Sequence, residues 1–227
     1  MLQGTDTLLG PDPPESDYLE AYRQLRSAIL ALRLRSTVRS LLITSATQGE
    51  GKTTVAMNLA TAMALASKAT VCVDLDLHRP HLHELVDAPI APGITDVLTG
   101  ETSLADAKRP TGLQFLTIVP AGSHWAERSD ILAAHSPRSA VDALVEQFEF
   151  VIMDSTPVLD FAVALELARV VDQVIVVARA RRSVAPVVQA VDRLEEVGGT
   201  VAGIVVNDVL PEDRSGAGYP YTYYEEL

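Results

Sequence analysis

The sequence predicts an α/β fold with a mostly parallel central sheet and helices on both faces. Three observations carry that reading. Apolar runs of strand length alternate with helix-period segments along the chain. The first run, Leu41-Leu42-Ile43, passes through a glycine-containing turn, Ala46-Thr47-Gln48-Gly49-Glu50-Gly51, into Lys52-Thr53-Thr54 and a helical pattern. Two later apolar runs end in Asp74 and Asp154. Strands apolar on both faces belong to parallel sheets covered on both sides.

Each element has its own signal. Leu19, Tyr22, Leu25, Ile29 and Leu32 recur at three- and four-residue steps, which predicts a helix over 17–35. Residues 40–45 read as a buried strand, 53–67 as an alanine-rich helix able to pack closely, and 69–74 as a second strand. A loop covers 89–93, and short helical pieces cover 94–98 and 104–107. A strand follows at 114–119, then a helix over 129–147 interrupted near Pro137. The remaining order is strand 148–154, helix 162–170, strand 173–178, helix 185–197 and strand 201–206.

With 227 residues, 48% of them hydrophobic, the chain can fill one sizeable core. The expected division is a flexible arm at 1–18, one domain at 19–209 and a tyrosine-rich tail at 210–227. A net charge of −12 without a basic block argues against nucleic acid as a partner and against adhesion to anionic lipid. The single cysteine, Cys72, excludes an internal disulfide and fits a reducing cytoplasm. No segment reaches transmembrane length, and residues 1–15 lack the basic and apolar regions of a signal peptide.

The turn at 46–54 has the layout of a phosphate-binding P-loop, although Ala46 stands where the full pattern has glycine. Backbone N–H groups of such a turn and of the following helix point at phosphate oxygens. Thr47, Gln48, Gly49, Glu50, Gly51, Lys52, Thr53 and Thr54 are the expected ATP-binding residues, joined by Asn207 as an adenine-edge contact or a turn residue. Lys52 is one of only three lysines, and Thr53 carries the hydroxyl that holds Mg²⁺ in such loops. Asp74 and Asp76 stand two apart just past the second strand, and Asp154 ends the run Val151-Ile152-Met153 as a Walker B aspartate does. Lys52, Asp74, Asp76 and Asp154 are the expected catalytic set. His78-x-x-His81-x-His83 reads as a polar loop interrupted by Pro80.

In this order and form, the three elements resemble the bacterial tyrosine kinases of capsule and exopolysaccharide production, P-loop proteins unrelated to eukaryotic protein kinases. Residues 45–54 look like that family's Walker A motif, which often lacks the first glycine. Residues 71–80 look like its additional Asp-x-Asp motif, and 151–157 like its Asp-x-x-Pro Walker B. Residues 93–100, 119–122 and 203–207 also read like family segments. Glu20, Arg23 and Arg26 match the family's Glu-x-x-Arg-x-x-Arg oligomerisation motif. Tyr219, Tyr221, Tyr223 and Tyr224, four of the six tyrosines, resemble its terminal tyrosine cluster. Departures are His78 where Arg is usual, Val163 where Asp is expected, and Glu127-Arg128 where the family has Asn-Pro.

The resemblance implies an ATP-dependent autokinase that phosphorylates the terminal tyrosines in trans within a homo-oligomeric ring, commonly of eight subunits. It assigns Mg²⁺ to Thr53, Asp76 and Asp154, and the base to Asp74, with the two Asp-x-Asp roles open to exchange. It further implies a membrane adaptor of polysaccharide co-polymerase type, or a fused membrane segment, recruiting a cytoplasmic protein to the inner face of the membrane. A tyrosine phosphatase would reset it. The alternatives are a partition- or division-site ATPase switch, whose signature lysine is Thr47 here, and a weakly catalytic nucleotide-binding scaffold.

Overall fold

A computed structural model describes residues 8–10, 16–123 and 129–210. The remainder of the expected arm and the four tail tyrosines lie outside the described residues. Helix α1, Asp17–Arg35, starts where the Ser16 hydroxyl accepts from the Leu19 N–H, with Asp17 and Glu20 in the first turn. Strand β1, Ser40–Ser45, leads through the turn into α2, Lys52–Leu65, and β2, Thr70–Leu75. Three short helices follow, α3 Leu82–Leu85, α4 Ile94–Leu98 and α5 Leu104–Ala107. Next come β3 Arg109–Pro110 and β4 Leu116–Val119. The expected helix around Pro137 is two helices, α6 Ser129–Ala134 and α7 Arg138–Gln147, with Pro137 capping the second. The chain continues with β5 Phe150–Ser155, α8 Val163–Ala168, β6 Gln173–Arg179, α9 Ala185–Glu196 and β7 Val201–Asn207.

The seven strands lie in the order β3-β4-β2-β5-β1-β6-β7. All neighbours are parallel except β3 and β4, so the sheet is mostly parallel as expected. The two-residue β3 and the one-turn α3 are the elements that periodicity does not reveal, because neither is long enough to show a period. After β1 the chain steps over the β5 position to β2, and after β5 it crosses to the other side of β1 at β6. Ligands in open α/β sheets bind beyond the carboxyl ends of strands at such a reversal.

Alternate residues of the strands feed two cores. Leu42, Val71, Val73, Val151, Met153 and Val176 face α7, α8 and α9. Leu41, Ile43, Cys72, Phe150, Ile152 and Val177 face α2, with α1 outside it. Helix α2 is therefore enclosed: residues from Val55 to Ala64 are all buried, and small side chains let it lie close to the sheet. Among the described residues no helix is long and apolar enough to cross a membrane. The family-like segments at 93–100 and 119–122 lie against each other. The N–H groups of Ile94 and Thr95 donate to the carbonyls of Pro120 and Ala121, at 2.8 and 2.9 Å.

Part of the expected arm is anchored. Leu9 is buried, and its N–H donates to Oδ1 of Asn58 at 2.8 Å. The Asn58 amide donates to the Tyr18 hydroxyl at 2.7 Å, so one fully buried side chain of α2 joins Leu9 to α1. Truncating it leaves a buried N–H without its acceptor. Asn58→Ala should lower unfolding free energy by about 2 kcal/mol, measured by urea denaturation, without changing the transition's cooperativity.

Candidate active site

The turn that enters α2 is built around two glycines. Gly49 and Gly51 have φ of 77° and 94°, a left-handed conformation that side chains with a Cβ resist. A Cβ on Gly51 would also collide with the Asn207 amide. Gly51 caps α2 without a side chain, so nothing from the cap residue competes for the helix's first N–H groups. A cleft of about 230 Å³ opens there, lined by Gln48, Gly49, Gly51, Lys52, Thr53 and Thr54. Asp76, His78, Arg79, Pro157 and Phe161 line it as well.

The expected nucleotide residues divide into two sets. Those from Gln48 to Thr54, Glu50 excepted, line the cleft, whereas Thr47, Glu50 and Asn207 do not. Glu50 is 5% exposed and turned inward. Its carboxylate accepts from the Thr47 hydroxyl at 2.8 Å, from Nη1 of Arg182 at 2.9 Å and from the Arg179 N–H at 2.6 Å. Asn207 donates its amide to the Glu50 carbonyl at 3.1 Å. These side chains hold the shape of the turn from the ends of β6 and β7. Arg179 and Arg182 do so too; their place after a strand end marks them in the sequence as residues near the site, but their acceptor, Glu50, lies more than a hundred residues away.

The acidic residues also separate. Asp74 and Asp154 are register partners on β2 and β5, both buried. Asp74 is fully enclosed and accepts from the N–H groups of His81, Leu82 and Asp76 at 2.9, 3.0 and 3.3 Å. Its oxygens are engaged by the loop, and Asp74 is not among the residues that line the cleft. Asp76 lines the cleft, with one oxygen 3.6 Å from Nζ of Lys52. Burial raises the Asp76 pKa, and Lys52 pulls it back.

Asp154 is 1% exposed, and neither of its carboxylate oxygens accepts a hydrogen bond among the described residues. Burial pushes its pKa upward against the attraction of Lys52. A buried carboxylate with two unused oxygens beside a threonine hydroxyl is a donor set suited to a hard divalent cation. Thr53 and Asp154 therefore fit Mg²⁺. No group of three or more His, Cys, Asp or Glu that could hold a metal occurs among the described residues. His78 stacks on Phe161, and Nδ1 of His81 lies 2.8 Å from Oε2 of Glu84.

The expected oligomerisation residues are also divided. Glu20 and Arg23 face each other along α1 at 3.7 Å, and both are well exposed. Arg26 turns inward, donating from Nη1 to the Ala62 carbonyl of α2 at 2.9 Å.

A phosphate-binding turn, a lysine beside a carboxylate and a bare aspartate at the neighbouring strand tip define a nucleotide-binding P-loop protein. The chain belongs to the AAA domain family, whose pattern matches residues 39–201. It is 28% identical to CapB of Staphylococcus aureus over 95% of the chain and 94% of that protein. It is 31% identical to the tyrosine-protein kinase ptk of Acinetobacter johnsonii over 88% of the chain, but spans only 27% of that protein's length. The solved kinase domain of the Escherichia coli tyrosine kinase ETK superposes with a TM-score of 0.83 at 25% identity, covering 97% of this chain and 88% of that one. The likeness to bacterial tyrosine kinases thus holds in sequence and in three-dimensional form.

Gly51→Ala should weaken nucleotide binding about tenfold or more, through left-handed strain and displacement of Asn207, as read by calorimetry. Asp74 and Asp154 carry raised pKa values when folded. The folded chain then holds protons that the unfolded chain releases, so stability without nucleotide should fall as pH rises from about 4 through the raised values. Asp154→Asn should raise the melting temperature at pH 8 and reduce that slope, as thermal melts across pH would record.

Proposed function

We propose that the chain transfers the γ-phosphoryl group of ATP to tyrosine hydroxyls, with its own terminal cluster among the acceptors. One observation carries the reading: Lys52, Asp76 and the bare Asp154 converge at one phosphate-binding turn at the carboxyl ends of β1, β2 and β5. Relatives named tyrosine-protein kinases support it.

Backbone N–H groups at 49–54 hold the phosphates, and Lys52 offsets charge on the transferred group. Asp76 is the base. The phenol oxygen attacks phosphorus in line, the bond from phosphorus to the ADP oxygen breaks, and the phenolic proton passes to Asp76. Thr53 and Asp154 would hold Mg²⁺, whose contribution when bound is neutralisation of phosphate charge. Asp74 positions Asp76 by binding its N–H and by fixing the loop that follows it.

By resemblance, the setting is capsule or exopolysaccharide production, in a homo-oligomer whose contacts include Glu20 and Arg23, with a membrane adaptor and a phosphatase. Each phosphate adds about −1.5 to −2 charge, and several on one tail of a chain already at −12 should loosen such an assembly. The rival ATPase switch lacks support at its signature position. Thr47 stands there, and its hydroxyl is engaged by Glu50.

Incubation with Mg-ATP should place phosphate on Tyr219, Tyr221, Tyr223 or Tyr224 in the wild type and on none of them in Lys52→Met, as mapped by mass spectrometry. Equal modification in both proteins, or none in the presence of the adaptor's cytoplasmic segment, would refute the autokinase.

A further inference from the structure

Phosphate is held by N–H groups and cations, yet one wall of the cleft is of another character. His78, from the loop after β2, and Phe161, from the loop after β5, stack with ring centroids 3.5 Å apart and planes at 28°. Both rings are half-buried and line the same cleft as Pro157 and Lys52. The Phe161 N–H donates to the Pro157 carbonyl at 3.2 Å, which ties this rim to the loop that follows Asp154. Arg79 lines the same wall. It is exposed, and its guanidinium makes no ion pair among the described residues, whereas Arg179, Arg181 and Arg182 are all paired with carboxylates. An exposed cation that lines the cleft is suited to an anionic occupant.

We propose that His78, Phe161 and Arg79 form the acceptor subsite, and that it takes a tyrosine followed by acidic residues. The phenol ring packs on the His78–Phe161 stack, as aromatic rings do in offset or edge contact. That contact leaves the hydroxyl near Asp76, which shares the cleft. Arg79 pairs with a carboxylate just beyond the tyrosine. The chain's own sequence contains such an acceptor, Tyr224-Glu225-Glu226. This subsite rests on the kinase reading above and adds to it the chemical class of the substrate. Phe161 and Arg79 are positioning residues, so their effect falls on the acceptor more than on the nucleotide.

The test uses the full chain with Mg-ATP and two peptides, one bearing tyrosine before two glutamates and one bearing tyrosine before two lysines. Phe161→Ala should raise KM for the acidic peptide about five- to tenfold beyond any change in nucleotide Kd, and Phe161→Tyr should restore it to within about twofold. Arg79→Glu should reverse the preference, raising KM for the acidic peptide and lowering it for the lysine peptide. Unchanged peptide preference in Arg79→Glu, or a Phe161→Ala effect equal on peptide and nucleotide, would overturn the subsite while leaving the kinase intact. Hydrolysis of ATP by the wild type with no phosphotyrosine on tail or peptide would overturn both.

Discussion

Two carboxylates buried side by side at the tips of β2 and β5 set the terms for everything around them. Asp74 and Asp154 are register partners, and like charges that close inside a protein cannot both stand without compensation. The fold treats them differently. Asp74 is wrapped by the N–H groups of the loop it begins, which fixes that loop and so aims Asp76 and His78. Asp154 receives no such donors. Its compensation comes from Lys52 and from whatever cation enters with the nucleotide. The same two residues therefore supply one rigid loop and one unsatisfied charge, and a phosphoryl-transfer site needs both.

A third buried carboxylate organises the opposite side. Glu50 lies inside the phosphate-binding turn and gathers Thr47, Arg182 and the Arg179 N–H, while its carbonyl takes the Asn207 amide. The turn is thus braced by the ends of β6 and β7 and not by its own glycines alone. At the usual first-glycine position Ala46 is buried, and its carbonyl accepts from the Leu159 N–H at 3.2 Å.

Long periodic segments were legible in the sequence. The 17–35 helix and the 40–45 strand appear with those bounds, since apolar spacing over several turns has one reading. The cleft side chains of the turn were legible because their spacing is local. Which of Asp74 and Asp76 faces the cleft was not. The two are chemically identical, and the choice is made by backbone donors seven and eight residues beyond Asp74. The inward turn of Arg26 depends on a carbonyl of α2, and the work of Arg182 depends on Glu50, contacts that only the completed fold creates. Phe161 carried no signal at all, being an apolar residue in a loop until His78 lies against it.

The contact between Leu9 and Asn58 has a mechanical side. Asn58 lies less than two turns along α2 from Lys52, on a helix enclosed by the sheet and α1. A pull on the chain ahead of Leu9 reaches that helix through this hydrogen bond and through the buried Leu9 side chain, which packs in the same core. A tug there is therefore shared between a buried apolar contact and a hydrogen bond before it bears on the helix that carries the phosphate-binding turn.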